Sequence, residues 1–282
     1  MKIIRIYNNN IVAALDGVKE VILTGNGIGF KKKPNDLVDM EKVDKKYIFE
    51  DQQKNQFLQL LNRTPILYFQ LAESIASRAI QQLKIELSNQ ILISLTDHIW
   101  YAVERKKKQK QIPNLMLNEI KVLYKNEYKI GLWAIKLIQV NTKIELGEHE
   151  ASYIAMHIVN ATLGSKKESA TKILRFVKDV QSVIENTFDI SFDEDLLDFS
   201  RLLTHLKFLA QHIFSNEVKE AINMEQMYSL LVNNHKQMER CIENISEIVK
   251  LNYHYQLTQD EKVYLLIHIN KIVKINEIAE NH

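Results

Sequence analysis

Glycine is spread so unevenly along this 282-residue chain that it separates two kinds of sequence. Gly17, Gly25, Gly27 and Gly29 all precede Phe30, and only Gly131, Gly147 and Gly164 follow. Because glycine permits tight turns and weakens helices, the early stretch suits short strands and the rest suits long helices. Up to about residue 56 the runs are β-like: KIIRIY (2–7), NIVAAL (10–15), EVILTG (20–25) and KKYIFE (45–50), punctuated by Asn8-Asn9-Asn10 and Asp16-Gly17. This predicts a small antiparallel sheet with tight turns. A unit of about 56 residues buries only a modest part of its surface, which favours dimerisation.

From about residue 57 onward, apolar residues recur at spacings of three and four. Leu71, Ile75, Ala79 and Leu83 form one stripe, with Ala72, Ala76 and Ile80 beside it. Ser88 caps a predicted helix from Asn89 to about Arg105, and Thr258 with Glu261 forms a capping box before KVYLLIHINKIV. The run Arg105 to Lys110 (RKKKQK) then ends a helix and reads as a solvated last turn favoured by the helix dipole.

With 46% hydrophobic residues the chain can bury sizeable cores, and its length suits two or three domains. No apolar run approaches the ~18 residues that would cross a bilayer, and the N-terminus lacks the layout of a signal peptide. The expectation is a cytoplasmic protein without membrane insertion. The single cysteine, Cys241, excludes an internal disulfide and fits a reducing compartment. A net charge of +2 confines any electrostatic footprint to local runs, of which Lys31 to Lys33 and Arg105 to Lys110 are two.

The stretch GNGIGFKKK (25–33) could serve a nucleotide phosphate or a nucleic acid. It lacks the Lys-Ser/Thr of a P-loop and the third-glycine spacing of a dinucleotide fingerprint, so an enzyme reading has little support. Lysines beside an aromatic residue suit a charged, stacking partner.

The helical part carries a long-period repeat. ISLTDHIWYA around His98 matches SRLLTHLKFLA around His205, and SYIAMHIVNA around His157 matches VYLLIHINKI around His268, the two matches being offset by nearly equal lengths of chain. Each of the four histidines has apolar residues at minus three, plus one and plus four: Leu95, Ile99 and Ala102; Ile154, Ile158 and Ala161; Leu202, Leu206 and Leu209; Leu265, Ile269 and Ile272. At about 100° per residue this places each imidazole on the shoulder of an apolar stripe, touching the core and still reachable. No histidines lie three to five residues apart, and His149-Glu150 lacks the second histidine of a zinc protease motif. No metal or cofactor is expected. A half-exposed imidazole is, however, a competent acceptor for a phosphoryl group, and the product would act as a charge switch. Asp97 would repel such a group beside His98, and Arg201 would attract one beside His205.

At these residues the chain resembles the BglG/SacY family of bacterial transcriptional antiterminators. The likeness covers the whole chain in order: NNN, GNGIGFKKK, SLTDHI, IAMHIVNA, LTHLKF and IHI. It implies a multidomain protein, with a small antiparallel β-sheet RNA-binding module at 1–56 followed by two all-α helical-bundle domains at 57–169 and 170–282, related by the internal repeat. The resemblance further implies a dimeric module that grips an RNA hairpin in a nascent leader transcript and prevents the overlapping terminator from forming. Family contacts fall on Asn10, Asn26, Gly27 and Phe30, with Arg5 and lysines such as Lys32 on the RNA backbone. Asn26 stands where many relatives carry Arg or Lys. His98 and His157 would receive phosphate in dependence on a sugar-specific phosphotransferase transporter when its sugar is absent, turning the protein off. His205 and His268 would be phosphorylated by the phosphocarrier HPr, favouring the active homodimer. A β-glucoside is the inducing sugar that the likeness favours. Gly147-Glu148-His149 departs from the Pro and Asp that relatives often carry before this helix. The rival reading, a DNA-binding activator with the same histidine domains, requires a helix-turn-helix where the N-terminal segment offers β texture.

Overall fold

The computed structural model describes residues 1–49, 51–163, 170–192, 197–215, 224–233 and 235–280. Four antiparallel strands come first: β1 (Lys2–Asn8), β2 (Ile11–Asp16), β3 (Lys19–Thr24) and β4 (Lys45–Tyr47), in spatial order β1-β2-β3-β4. The fourth is shorter than the KKYIFE run, whose Glu50 lies outside the described residues. Asp16 pairs with Lys19 across a two-residue turn led by Gly17 at φ +63°, the left-handed conformation that glycine tolerates. In β1 the register shifts between Ile3 and Arg5 and again between Ile6 and Asn8. The second of these irregularities adjoins the Asn9-Asn10 turn.

One face of the sheet buries Ile3, Val12, Ala14, Val21 and Leu23 together with Ile28 and Val38 from the following loop. Strand β2 is also buried at Ile11 and Ala13, so its apolar run IVAA is covered on both sides. Helices α1 (Asp51–Arg63) and α2 (Ile66–Leu83) follow the sheet. Phe49 stacks on Phe57 with centroids 4.9 Å apart, Phe57 meets Phe69 edge-on at 5.4 Å, and Tyr47 meets Phe69 edge-on at 6.4 Å. Helix α1 starts six residues before the predicted onset. Its first turns, DQQKN, are polar, so the apolar period becomes visible only at Phe57.

The remaining elements are α3 (Gln90–Lys107), α4 (Leu117–Leu123), α5 (Lys125–Thr142), α6 (Glu148–Leu163), α7 (Ala170–Phe188), α8 (Leu197–Ser215), α9 (Glu225–Val232), α10 (Lys236–Tyr253) and α11 (Gln259–Glu280). Ser88 Oγ accepts from the Gln90 amide at 3.3 Å, next to the start of α3. Before α11, Thr258 N donates to Glu261 Oε2 at 2.9 Å, and Glu261 N donates to Thr258 Oγ1 at 3.4 Å, closing the capping box. Gly147 does not prevent the start of α6: the Glu150 amide donates to its carbonyl at 3.0 Å.

The chain divides into two compact units, residues 1–111 with 133–150 and residues 112–132 with 151–282. The first holds the sheet and α1 to α3. In the second, Phe176, Val177, Val180 and Ile184 of α7, Leu202, Leu206 and Ala210 of α8, Cys241, Ile242 and Ile245 of α10 and Leu265 and Ile269 of α11 share one core. The boundary drawn at 169/170 falls at residues 164–169, outside the described residues.

Candidate nucleic-acid interface and histidine pairs

The loop after β3 is built on the Asn8-Asn9-Asn10 turn. The Gly25 amide donates to the Asn10 carbonyl at 3.0 Å, the Gly29 amide to the Asn9 carbonyl at 2.9 Å, and the Gly27 amide to Asn10 Oδ1 at 2.9 Å. Asn10 is therefore a strut of the loop through its oxygen, and its side-chain NH2 remains the group that can read a base edge. The glycines meet the chain's own backbone: a Cβ at Gly25 would lie 1.7 Å from the Lys42 carbonyl oxygen, and one at Gly29 would lie 2.4 Å from that of Asn8. Close approach of the main chain to a ligand thus does not explain these two positions. Gly27, at φ +67°, meets only Phe30 Cβ within 4 Å.

Phe30 is 56% exposed, with the Lys31 ammonium 5.4 Å from its ring centroid. Arg5 and Asn26 are exposed and Lys32 is half-buried. Lys32 Nζ donates to the Leu37 carbonyl at 3.1 Å, which holds that side chain along the loop. A cavity of about 110 Å³ beside this loop is lined by Asn10, Gly25, Asn26 and Asp44 on the sheet side and by Ile66, Phe69, Gln70 and Glu73 of α2.

All four repeat histidines are half-buried, as their place on the stripe shoulder requires. The twelve flanking positions are buried except Ala161, which is intermediate. In the first half, His98 Nε2 lies 3.2 Å from Glu150 Oε2, and Arg105 bonds the other oxygen of the same carboxylate. Burial pushes the Glu150 carboxyl up, but hydrogen bonds and charge from His98 and Arg105 outweigh it and hold it below the usual range. Arg105 is thus not part of a solvated turn: its side chain is 10% exposed. Asp97, the expected repulsive neighbour of His98, is occupied by Arg63 at 2.6 Å.

In the second half the sequence-distant histidines come together. The rings of His205 on α8 and His268 on α11 lie 3.9 Å apart between centroids, tilted by 32°. The Tyr264 hydroxyl bonds His205 Nδ1. Burial pushes both imidazoles below the ordinary histidine value. At His268 the neighbouring His205, Lys271 and Arg201 add to this, and Asp198 opposes it. Both rings are therefore neutral near pH 7 and nucleophilic. Arg201 and Lys271 converge on one acceptor, Asp198 Oδ1, at 3.1 Å and 2.7 Å. They form a cation pair beside the ring pair.

Sequence reasoning missed Glu150, Arg105, Tyr264, Asp198 and Lys271. The repeat held the signal for three of them. Arg105 and His212 are separated by the same interval as His98 and His205; Glu150 and Glu261, like Tyr153 and Tyr264, are separated by the same interval as His157 and His268. His212 Nε2 indeed lies 3.6 Å from Glu261 Oε1, in the same register as the pair between Arg105 and Glu150.

A family model described as CAT RNA binding domain matches residues 1–56, and one described as PRD domain matches 73–161 and 178–272. The chain therefore belongs to the family of proteins that join a CAT RNA-binding domain to two PRD domains, the antiterminator family that its motifs resemble. Among its relatives is transcription antiterminator LicT of Bacillus subtilis (strain 168), 35% identical over 276 residues, covering 97% of this chain and 99% of that protein. The beta-glucoside operon antiterminator of Dickeya chrysanthemi is 32% identical over 274 residues, covering 96% of each. Among solved structures, the crystal structure of GlcT CAT-PRDI matches with a TM-score of 0.53 and 30% identity, over 57% of this chain and 97% of that one. Two of these relatives are named as antiterminators, and among the described residues no helix is long and apolar enough to cross a membrane.

Proposed function

We propose that this chain is a sugar-responsive transcriptional antiterminator that holds an RNA hairpin in a nascent leader transcript and is controlled by histidine phosphorylation. One observation carries the reading: an RNA-binding domain match at 1–56 is followed, in register, by two PRD matches, each of which contains one of the duplicated histidine pairs. In functional terms the chain divides at 1–56, 57–169 and 170–282.

Phe30 stacks on an unpaired base, the Asn10 amide reads a base edge, Asn26 and Gly27 line the same turn, and Arg5 and Lys32 meet phosphates. His98, His157, His205 and His268 accept phosphoryl groups, the first two in dependence on a sugar-specific transporter and the last two from the phosphocarrier HPr. The active form is a homodimer, and a β-glucoside is the inducing sugar. Exposure of Phe30 and the neutral imidazoles at His205 and His268 support these assignments.

The test compares binding of the full chain to a hairpin with unpaired internal bases and to a fully paired duplex, across a salt series. Preference for the hairpin is expected, and Phe30→Ala should weaken that complex by about 1–3 kcal/mol. Equal, steeply salt-dependent binding to both RNAs would overturn the reading.

A further inference from the structure

The His205 and His268 pair carries a hydroxyl that the functional reading leaves without a role. Tyr264 stands four residues before His268 on α11, yet its hydroxyl meets Nδ1 of His205 on α8. Its ring is edge-on to both imidazoles, with centroids 4.9 Å from each. The two nitrogens of an imidazole face different directions, and a phosphoryl donor must approach one of them in the ring plane, along its lone pair. At His205 the approach to Nδ1 is filled by the tyrosine oxygen.

We propose that Tyr264 is a positioning residue that directs phosphoryl transfer to Nε2 of His205. The proposal rests on the reading of His205 as a phosphoryl acceptor. In the reacting tautomer the ring proton sits on Nδ1 and is donated to the Tyr264 oxygen. The phenol's own hydrogen turns to solvent, for which the 43% exposure of Tyr264 leaves room. The Nε2 lone pair forms the N–P bond while the bond between phosphorus and the donor breaks, its electron pair leaving with the donor. The positive charge that develops on the ring is carried by the Nδ1–H group, against the tyrosine oxygen. Burial raises the pKa of the phenol, so it stays protonated and adds no negative charge that would repel the donor.

Tyr153 holds the corresponding place four residues before His157, and its hydroxyl donates to the Pro113 carbonyl at 3.2 Å. In the first half His98 Nε2 faces the Glu150 carboxylate.

The experiment treats the full chain with phosphoramidate, whose nitrogen leaves as ammonia, and reads the phosphohistidine isomer at His205 by 31P and 1H–15N NMR. His205→Gln assigns the signal. The unaltered chain should yield the Nε2 isomer alone, and Tyr264→Phe, which keeps the ring and its packing, should lose that selectivity and give a mixture with Nδ1. A single Nε2 isomer in Tyr264→Phe, an Nδ1 product in the unaltered chain, or no product at His205 would each overturn the proposal. A second readout needs no variant: the 15N shifts of unreacted His205 should report Nδ1 held in a hydrogen bond, and the averaged nitrogens of an unconstrained ring would overturn it. Phosphoramidate has no recognition surface, so the isomer reads ring geometry alone. Selective Nε2 product with phosphoramidate but none with a protein phosphoryl donor would uphold the positioning role and sink the regulatory reading.

Discussion

Gly25, Gly27 and Gly29 answer to different constraints although they lie within five residues. Any Cβ at Gly25 or Gly29 runs into a backbone carbonyl, whereas Gly27 has open space and only a left-handed backbone to excuse. Gly27→Ala should therefore cost about 1–2 kcal/mol of conformational strain, and Gly25→Ala or Gly29→Ala should cost more because main chain must move. Thermal unfolding of the three variants checks the ranking; equal losses would refute it. The motif GNGIGFKKK showed that glycine was needed but not against what, since Lys42 is brought to Gly25 only by the later loop. Titration also belongs to this scale. Burial lowers the pKa of His205 and His268, so as pH falls through about 6.5 the unfolded chain takes up protons that the folded second unit refuses. The stability present above that value is lost as the solution becomes more acidic. Melting curves between about pH 8 and about pH 5.5 should show the decline, and a His205→Gln, His268→Gln variant should flatten it. An unchanged slope in the variant would place the protons elsewhere.

The sheet and α2 meet at one carboxylate. Glu73 accepts from Thr24 Oγ1 at 3.2 Å and from the Tyr47 hydroxyl, and it lies 3.6 Å from Lys45 Nζ. Lys45 also donates to Ser77 Oγ one turn along the helix, at 2.6 Å. Burial first, and then the bond to Glu73, push the Tyr47 hydroxyl well above the ordinary tyrosine range. Glu73→Leu would leave two donors without their acceptor, at a cost of about 1–3 kcal/mol each. Guanidinium unfolding followed at the aromatic cluster measures it, and a loss indistinguishable from that of an exposed substitution would show that the joint carries no weight. Helices at this scale were legible because α2 and α3 repeat their apolar residues every three or four positions. The antiparallel pairing of β1, β2 and β3 was legible because short turns separate these strands. The start of α1 was not, since its polar first turns show no period, and neither were the irregularities of β1, which arise from pairing. The charge of Arg105 could be read; its partner Glu150, far along the chain, depends on the packing of α3 beside the start of α6.

Across the whole molecule the duplication conserves a scaffold and varies its polar contents. Both halves place a basic side chain seven residues after one histidine and a glutamate seven residues before the other. Arginine fills the basic position in the first half and histidine in the second, where Tyr255 donates to the same glutamate at 3.0 Å. The four histidines were legible because the repeat is linear in sequence; their convergence in the second half was not, because α8 and α11 meet only through the core. That convergence bears on assembly. Arg201 and Lys271 are now balanced partly by Asp198, and a phosphoryl group of about −1.5 to −2 on either ring would compete for the same two cations. Aspartate at positions 205 and 268 gives three carboxylates against those two cations. The excess charge cannot be buried unpaired, so it must repel the helices apart or recruit cations from a second copy. If the active form is the dimer, His205→Asp with His268→Asp should tighten self-association in analytical ultracentrifugation. Adding Asp198→Asn removes one of the three carboxylates and should reverse part of the gain. Unchanged association in the double variant would count against phosphorylation acting through the dimer, and a gain indifferent to Asp198→Asn would mean that the cation pair is not the element being switched.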